Sequence, residues 1–418
     1  MATGSVVAPE ARLTERAAGP ITLAIRFTGS GSEYFRIWLV NLLLVVVTVG
    51  IYYPWAKVRR LRYFYANTLV GNNAVGRHAL RFHGDPKRML IGYLITSALF
   101  VLYSIAGTVS AVAGAVALVA LAVVWPAFIR AGLRFRLSNT SWRGLRFAFD
   151  GTLSGAYRVL LPLVVPLALA VASTVLFAVW ADDGGDPNPP LAASAGVAML
   201  VLAVVVACLM APWILVRLRR YQHDNYRFGS VVARLDIRGS AIYRLLMKTS
   251  LVTVATIAVV LGTVGALAAW WFLSGDVAGP QTGDRSRIPP WLVAIAPIVF
   301  GLLPLLLVAA AQLVIVPYVT ARLQNLFWSA TRSEAVQFDS QLSFAKLARL
   351  TAFNWLMIIV TLGLYWPFAR VAVARLRLEA VVLHLRDDPA TIIGEARSRD
   401  PGNTGDAAAD VFGFDPGF

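Results

Sequence analysis

The chain has 418 residues, of which 58% are hydrophobic and 14% are charged, and its mean hydropathy is +0.67. A soluble domain has about 45–50% apolar and about 25% charged residues, so this composition excludes an ordinary soluble protein and indicates an integral membrane protein. The net charge of +16 comes from basic residues that follow apolar runs instead of gathering in one domain. Such a distribution is typical of cytoplasmic loops and argues against a nucleic-acid-binding protein.

The apolar runs predict a membrane domain at residues 21–389, because about 20 apolar residues suffice to cross a bilayer. Residues 1–20 lack the apolar core of a secretory signal peptide, and both they and residues 390–418 are predicted to be disordered tails. Two shorter apolar segments, 35–53 and 347–366, flank the full spans. The six predicted spans are residues 89–106, 108–125, 159–180, 191–211, 249–273 and 291–316.

Five prolines, each at the end of an apolar run, align five copies of one sequence unit. Eight residues after the proline, at position eight, four copies have Arg and one has Asn. Positions five and eight share one face of a helix that continues past the proline, so each copy is predicted to contain a basic helix. The prolines are Pro54, Pro126, Pro212, Pro317 and Pro367, and position eight holds Arg62, Arg134, Arg220, Asn325 and Arg375.

Each copy also has a polar residue between apolar neighbours, which indicates a short strand with one polar face. The polar residues are Arg26, Arg81, Arg146, Arg234 and, in the fifth copy, Gln337. We predict that these five strands pair into a small cytoplasmic cap. The predicted fold class is therefore an all-α polytopic membrane protein, with helical hairpin repeats above short β-strands.

The stretch TVGIYYPWAKV at 48–58 returns as TLGLYWPFARV at 361–371, in the first and last copies alone. These two copies have room for one apolar run, so the chain either crosses the bilayer once there or dips in and returns. Gly50 and Gly363 would break the helix at these points. Together with Pro54 and Pro367, four residues later, they are predicted hinge or interface positions. The positive-inside rule favours the return, which places both termini in the cytoplasm. We also predict that the first and last copies meet and close a ring.

Three polar side chains lie inside apolar runs, where each needs a hydrogen-bond partner. Asn41 and Asn354 stand thirteen residues before Pro54 and Pro367, and Gln312 stands five residues before Pro317. Two interpretations stay open: these residues tie helices together, or they line a polar path for a ligand. The span interiors lack carboxylates, which argues against a proton- or sodium-coupled transporter.

Enzyme signatures are absent from the sequence, and its four histidines are too scattered for a metal cluster. We therefore expect no enzymatic activity, no metal and no cofactor. The arginines next to membrane segments instead favour contact with the lipid bilayer, and with anionic lipids in particular. The predicted anion- or lipid-binding residues are Arg62, Arg134, Arg220 and Arg375 of the basic helices and Arg26, Arg81, Arg146 and Arg234 of the strands, converging on one basic vestibule.

Residues 27–67 carry the most specific pattern of the chain: Phe27-x-Gly29, Glu33-Tyr34-Phe35, Asn41, the first proline stretch, Arg62-Tyr63 and Asn67. Together with NTSWRGLRFAFDG at 139–151, this pattern resembles the YjgN-like family of bacterial inner-membrane proteins, a domain of unknown function. The resemblance covers about residues 20–388, although the last copy lacks an Asn thirteen residues after Pro367. It implies a multi-pass protein of the bacterial inner membrane and supplies no substrate.

Two classes of function follow from these patterns. The first is a transporter- or channel-like protein for an anionic or amphipathic small molecule, with Asn41, Asn354 and Gln312 at its polar centre. The second is a noncatalytic scaffold that binds anionic lipids or acidic partners through its basic cytoplasmic face. We favour the first.

Overall fold

The computed structural model describes residues 21–182, 191–274, 302–386, 388–391 and 393–394. Within these residues, helices and short strands form two stacked rings. The elements in chain order are β1 (Ile21–Phe27), α1 (Gly31–Val47), α2 (Tyr53–Ala66), β2 (Thr68–Asn72), β3 (Gly76–Phe82), α3 (Pro86–Val109), α4 (Ala111–Ser138), β4 (Thr140–Trp142), β5 (Leu145–Phe149), α5 (Leu153–Leu160), α6 (Val164–Asp182), α7 (Leu191–His223), β6 (Tyr226–Phe228), β7 (Val231–Val232), β8 (Arg234–Leu235), α8 (Gly239–Ser274), α9 (Leu302–Ser329), β9 (Thr331–Arg332), β10 (Val336–Ser340), α10 (Phe344–Val360), α11 (Trp366–Glu379) and β11 (Val381–Leu385).

The eleven strands form one antiparallel sheet in the order β7-β6-β5-β4-β3-β2-β1-β11-β10-β9-β8. Its two edge strands, β7 and β8, are consecutive in the chain and are separated by Ala233 alone. The N–H of Ala233 donates to the Tyr226 carbonyl at 2.9 Å, so the chain continues from one edge to the other without leaving the sheet. The sheet therefore comes round on itself as a near-barrel, which hides the open edges that would otherwise invite aggregation. We call it the strand ring.

The predicted fold class, all-α with a small cap of five strands, is wrong, because the eleven strands form a near-barrel of their own. The five predicted strands do exist, as β1, β3, β5, β8 and β10, but each basic helix also runs directly into a second strand. These second strands, β2, β4, β6, β9 and β11, have between two and five residues. Pieces this short contain too little apolar-polar alternation to be detected by pattern, and they double the strand count, which turns the expected cap into a ring.

Apolar side chains fill the inside of the strand ring. Leu23, Trp142 and Leu385 are buried there together with Ile393 from the end of the described chain. Because alternate residues of a strand point to opposite faces, the polar residues between these apolar positions lie on the outer face. Among the residues that the structure describes, this packed core closes the centre of the strand ring. Further residues that pack against it are Ile21, Ile25, Leu80, Leu145, Phe147, Phe228, Val231, Val336 and Leu383.

Six helices are long and apolar enough to cross a bilayer, judged by length and composition. Each contacts mainly its neighbours along the chain, and α11 contacts α1, so the helices form a second ring, the helix ring. At most 28% of the most apolar window of any of these helices is buried. The predicted span 291–316 begins in residues outside the described ranges. The six helices are Pro86–Val109, Ala111–Ser138, Leu153–Trp180, Ala193–His223, Gly239–Gly265 and Leu302–Ser329.

The two short apolar segments turn back on themselves. The hairpin of α1 and α2 lies between β1 and β2, which pair with each other, and the hairpin of α10 and α11 lies between the paired strands β10 and β11. Both turns have a glycine at positive φ, Gly50 at 89° and Gly363 at 93°, as the predicted break requires. In both, a threonine hydroxyl donates to the carbonyl four residues earlier and accepts the N–H four residues later. The chain thus returns to the strand ring after each segment.

The first and last copies meet, as the sequence predicts. Strand β1 pairs with β11 along Ile21↔Leu385 to Ala24↔Val382. The indole rings of Trp38 and Trp366 lie 6.2 Å apart between centroids. Any side chain at Gly31 would collide with the ring of Phe368, so the glycine allows α1 to approach α11 closely at this seam.

Candidate functional site

The basic helices hold the turns that follow the strands. In five places, a side-chain N–H from such a helix donates to the backbone carbonyl two residues beyond a strand. We call these contacts clamps. Each reaches the turn that opens the next copy, and the clamp from α11 reaches the first copy, so the set closes the ring. The clamps are Arg62 to Gly84 (3.0 Å), Arg130 to Gly151 (2.7 Å), Arg220 to Ile237, Asn325 to Leu342 (3.0 Å) and Arg375 to Gly29 (2.8 Å).

The clamps give a structural role to the predicted anion-binding face of the basic helices. A hydrogen bond from a charged donor contributes about 1.5–3 kcal/mol to stability. In the second copy, the clamp comes from Arg130, one helical turn before Arg134 at position eight. A guanidinium has five N–H donors, so one backbone contact leaves others available to an anion. Anion binding by these arginines stays a prediction.

The strand arginines lie around the outer face of the strand ring and are exposed. They are therefore spread over its circumference and do not form the predicted single vestibule. Arg26 borders a cavity of about 360 Å³, which Arg375 and Glu379 also line. Glu379 accepts the N–H of Phe27 at 3.1 Å, so a carboxylate already stands beside this arginine pair.

A second basic cluster lies on the inner face of the same helices. Arg377 of α11 donates to the side-chain carbonyl of Gln324 on α9 at 2.9 Å, and the Gln324 amide donates back to the Arg377 carbonyl at 2.8 Å. On α4, Arg136 donates to the Tyr65 hydroxyl at 3.0 Å. On α7, Arg219 donates to the side chain of the fully buried Gln222 at 3.0 Å. Different helices of the ring thus each direct a polar group toward its interior.

These groups influence one another across the ring. Burial lowers the pKa of the Arg377 guanidinium, and the charges of Arg219 and Arg370 lower it further. Burial raises the pKa of the Tyr226 phenol, an effect that the charges of Arg136 and Arg219 oppose. Helices α7 and α11 are not neighbours in the helix ring, so Arg219 and Arg377 approach each other through its interior. Arg136, Arg219, Gln324, Arg377 and Tyr226 are called the central cluster below.

Arg377 combines a lowered pKa with an accessible surface. Burial by neighbouring protein lowers the pKa of its guanidinium, yet the residue as a whole is exposed. The side chain is therefore partly packed against protein and still reachable from solvent. A guanidinium in such a place is well suited to meet an anion that enters the helix ring.

The central cluster lies outside the residues predicted from the sequence, because that prediction used only positions five and eight. Positions seven and ten after each proline are also three residues apart and form the inward face of the same helix. Arg219 and Gln324 occupy position seven, and Arg136 and Arg377 occupy position ten. The available signal was the alternation Arg-x-Arg, as in Arg375-Leu376-Arg377, which puts one charge on each face.

The predicted polar-path residues are buried, but the described residues do not supply all their partners. Asn41 and Asn354 are only 7% and 4% exposed. The side-chain oxygen of Asn41 and both polar side-chain atoms of Asn354 have no hydrogen-bond partner within the described ranges. Gln312 lies in a π-helical turn at Ala311–Ile315, a distortion that often marks functional sites. Whether these residues tie helices or meet a ligand stays a prediction.

Metal binding finds no support in the described residues, where no three His, Cys, Asp or Glu side chains lie close enough to hold an ion. Two histidines have polar partners. His83 Nε2 lies 2.8 Å from the Ser141 hydroxyl, and His223 Nδ1 lies 2.8 Å from the Thr331 hydroxyl.

Comparison with known proteins identifies a family and several bacterial relatives. A family model described as "Bacterial protein of unknown function (DUF898)" matches residues 22–411. Proteins named inner membrane protein YjgN are similar: that of Escherichia coli K12 is 34% identical over 157 residues, and that of E. coli O157:H7 is 32% identical over 154 residues, each match covering 36% of both chains. The YjgN protein of Salmonella typhimurium LT2 is 24% identical over 356 residues, 82% of this chain and 84% of its own. No solved structure matches.

Proposed function

Since the chain belongs to the DUF898 family of bacterial proteins of unknown function, we propose its activity from geometry: it takes an anionic amphiphile from the bilayer into the helix ring. The resemblance to the YjgN proteins is confirmed, and the chain is a multi-pass protein of the bacterial inner membrane. The observation that carries the proposal is the central cluster, where Arg136, Arg219 and Arg377 face a common interior.

The charge of the central cluster favours an anion. Three guanidiniums converge from α4, α7 and α11, and an anion placed between them would offset the mutual repulsion of these like charges. Hydrogen bonds with Gln324 and Tyr65 orient Arg377 and Arg136. A phosphate or carboxylate headgroup would accept several of these N–H donors at once.

The walls of the helix ring favour an apolar tail. None of the most apolar window of Gly239–Gly265 is buried, and only 6% of that of Leu302–Ser329. The apolar side chains of these two helices are therefore largely accessible within the described part of the chain. Apolar helix surfaces next to a basic cluster suit an amphiphile better than a fully soluble anion.

The filled strand ring favours a transporter-like protein over an aqueous channel. Leu23, Trp142 and Leu385 pack in its centre. We propose that the ligand enters and leaves sideways from the bilayer. Asn41 and Asn354, with their unpaired polar atoms beside the seam, would line its polar path.

The proposed orientation places the strand ring and both termini in the cytoplasm. Both hairpins return to the strand ring, so neither adds a net crossing. Val49 and Leu362 at the two hairpin tips are 91% and 93% exposed, which suits segments that dip into the bilayer. We also propose that the chain contains five copies of one unit, on the grounds that the clamp recurs five times. The role is noncatalytic.

The experiment compares wild type with the variant Arg136→Gln, Arg219→Gln, Arg377→Gln in proteoliposomes that contain a fluorescent anionic phospholipid. We expect the variant to move this lipid at least about tenfold more slowly, because charge-assisted hydrogen bonds to the headgroup inside the helix ring are lost. The matched control is Arg332→Gln, which removes an outer arginine that pairs with Asp236. Equal lipid movement by wild type and the triple variant would refute the proposal.

A second candidate function is a noncatalytic scaffold on anionic lipid. The exposed arginines on the outer face of the strand ring favour it. Under this alternative, the triple variant would bind anionic liposomes as wild type does, whereas salt would weaken binding by both proteins.

A further inference from the structure

One stretch of the outer face of the strand ring brings several basic residues together. Across β3, β4 and β5, Arg81 lies opposite Ser141, and Ser141 lies opposite Arg146. Directly paired residues point to the same face of a sheet, so the two arginines flank the serine, with Cα atoms about 10 Å apart. Both arginines are exposed, whereas Ser141 is buried beneath its neighbours.

A histidine and a third arginine complete this group. His83 follows Arg81 by two residues, and its Nε2 lies 2.8 Å from the Ser141 hydroxyl. Arg62 reaches over from α2 to donate to the Gly84 carbonyl at 3.0 Å, next to His83 in the chain. Three guanidiniums therefore surround one imidazole and one hydroxyl.

The electrostatics of His83 agree with this arrangement. Partial burial lowers the pKa of its imidazole, and the charges of Arg146, Arg81 and Arg62 lower it further. Every charged group that acts on this histidine among the described residues is a cation. The group thus presents three positive charges around a neutral imidazole.

Three corresponding places around the ring carry a carboxylate or have lost their charges. Arg26 and Arg375 share their cavity with Glu379, and Arg220 and Arg234 lie beside Asp224. Glu379 and Asp224 stand twelve residues after their prolines, where α2 has Ala66 instead. At the boundary of the fourth and fifth copies, Asn325 and Gln337 replace the helix arginine and the strand arginine together. At these three places, the chain neutralises such a pair or removes it.

We propose that Arg62, Arg81 and Arg146, together with His83 and Ser141, bind a phosphate group. The group lies just before Pro86, the first residue of α3, which is a candidate span. It therefore sits at the depth where an anionic phospholipid headgroup is accessible, and free inorganic phosphate could reach the same exposed surface. The phosphate oxygens would accept guanidinium N–H groups, and the imidazole would become easier to protonate. This site is separate from the central cluster and does not depend on the proposed function.

The test follows the His83 ring by NMR in the full-length protein, labelled at histidine and assigned through His83→Gln. The protein is placed in nanodiscs of phosphatidylcholine, without or with inorganic phosphate, and in nanodiscs with about one-fifth phosphatidylglycerol. We expect an anion in the site to raise the pKa of His83 by at least about half a unit. A rise with phosphatidylglycerol identifies a lipid headgroup as the source, and a rise with inorganic phosphate alone identifies a soluble one.

Matched variants separate the site from general surface charge. The double variant Arg81→Gln, Arg146→Gln should abolish the rise in the His83 pKa. The double variant Arg81→Lys, Arg146→Lys should keep part of that rise, which would also show that the strands tolerate substitution at both positions. Arg26→Gln is the control, because Glu379 already neutralises its surroundings, and it should leave the rise intact. The proposal is overturned if the His83 pKa is the same in all nanodiscs, or if the double Gln variant responds as wild type does.

Discussion

The basic helices have two arginine-bearing faces that lie less than one turn apart and have different surroundings. On α11, Arg375 holds the Gly29 carbonyl at 2.8 Å, whereas Arg377, two residues later, turns inward to Gln324. The outer face meets backbone at the start of the next copy, and the inner face meets polar side chains of other helices. Residue type and spacing alone therefore do not distinguish an arginine that stabilises the fold from one available to a ligand. The groups that the arginine contacts do distinguish them.

The largest expected effect on stability comes from removing one arginine from each face of α11 in turn. Arg375→Ala should lower the free energy of unfolding by about 2 kcal/mol, because the Gly29 carbonyl loses a charged donor and the ring loses a clamp at its seam. Arg377→Gln should cost less than half as much, because its side chain lines an accessible space. Denaturant unfolding in detergent measures both. Equal costs would show that the two faces do not differ in role.

A smaller effect is expected at Asn325, the clamp that lacks a charge. Asn325 donates to the Leu342 carbonyl and also accepts the Leu342 N–H at 2.8 Å. Asn325→Ala should destabilise the protein by about 1 kcal/mol, in line with neutral hydrogen bonds. Asn325→Arg, which restores the residue found at position eight elsewhere, should fall between wild type and Ala, because it can donate to the carbonyl but cannot accept the N–H. An Arg variant less stable than Ala would contradict this view of the clamp.

The smallest expected effect is the pH dependence that His83 introduces on the outer face. Its folded-state pKa is lowered, first by burial and then by the arginines, from an unfolded value near 6.5. The unfolded chain therefore binds this proton more readily, so the stabilisation is complete above about pH 6.5 and is lost as the pH falls toward the folded pKa. Unfolding at pH 7.5 and pH 5.5 in phosphate-free buffer should show a larger stability loss for wild type than for His83→Gln. An identical loss in both proteins would exclude this contribution.

The sequence predicted those parts of the fold that repeat with a helical or strand period. Proline alignment located β1, β3, β5, β8 and β10, and the matched stretches at Gly50 and Gly363 predicted a seam between the first and last copies. It could not reveal β4 or β9, because strands of three and two residues form only when a neighbour offers backbone partners. Their existence depends on tertiary pairing, which local patterns do not contain.

The candidate site was predictable only in part for a related reason. Sequence spacing identified Arg62 and Arg375 as members of one helical face, but not the carbonyls that those residues hold. The inward face was hidden because Gln324 stands where other copies have Arg or an apolar residue, so it has no single repeating residue type. The convergence of Arg219 and Arg377 depends on the closure of the helix ring, which sets distances between residues far apart in the chain.

The pairing of β1 with β11 has a consequence for biogenesis. Ile21 pairs with Leu385, which is synthesised near the end of the chain. One edge of the first strand therefore stays unpaired until nearly the whole chain has been made. At about 5–20 residues per second, that interval lasts on the order of tens of seconds. The nascent N-terminal strand must be shielded throughout, by the ribosome-bound insertion machinery or by a chaperone, and premature termination anywhere before Val381 leaves an open edge that recruits foreign strands.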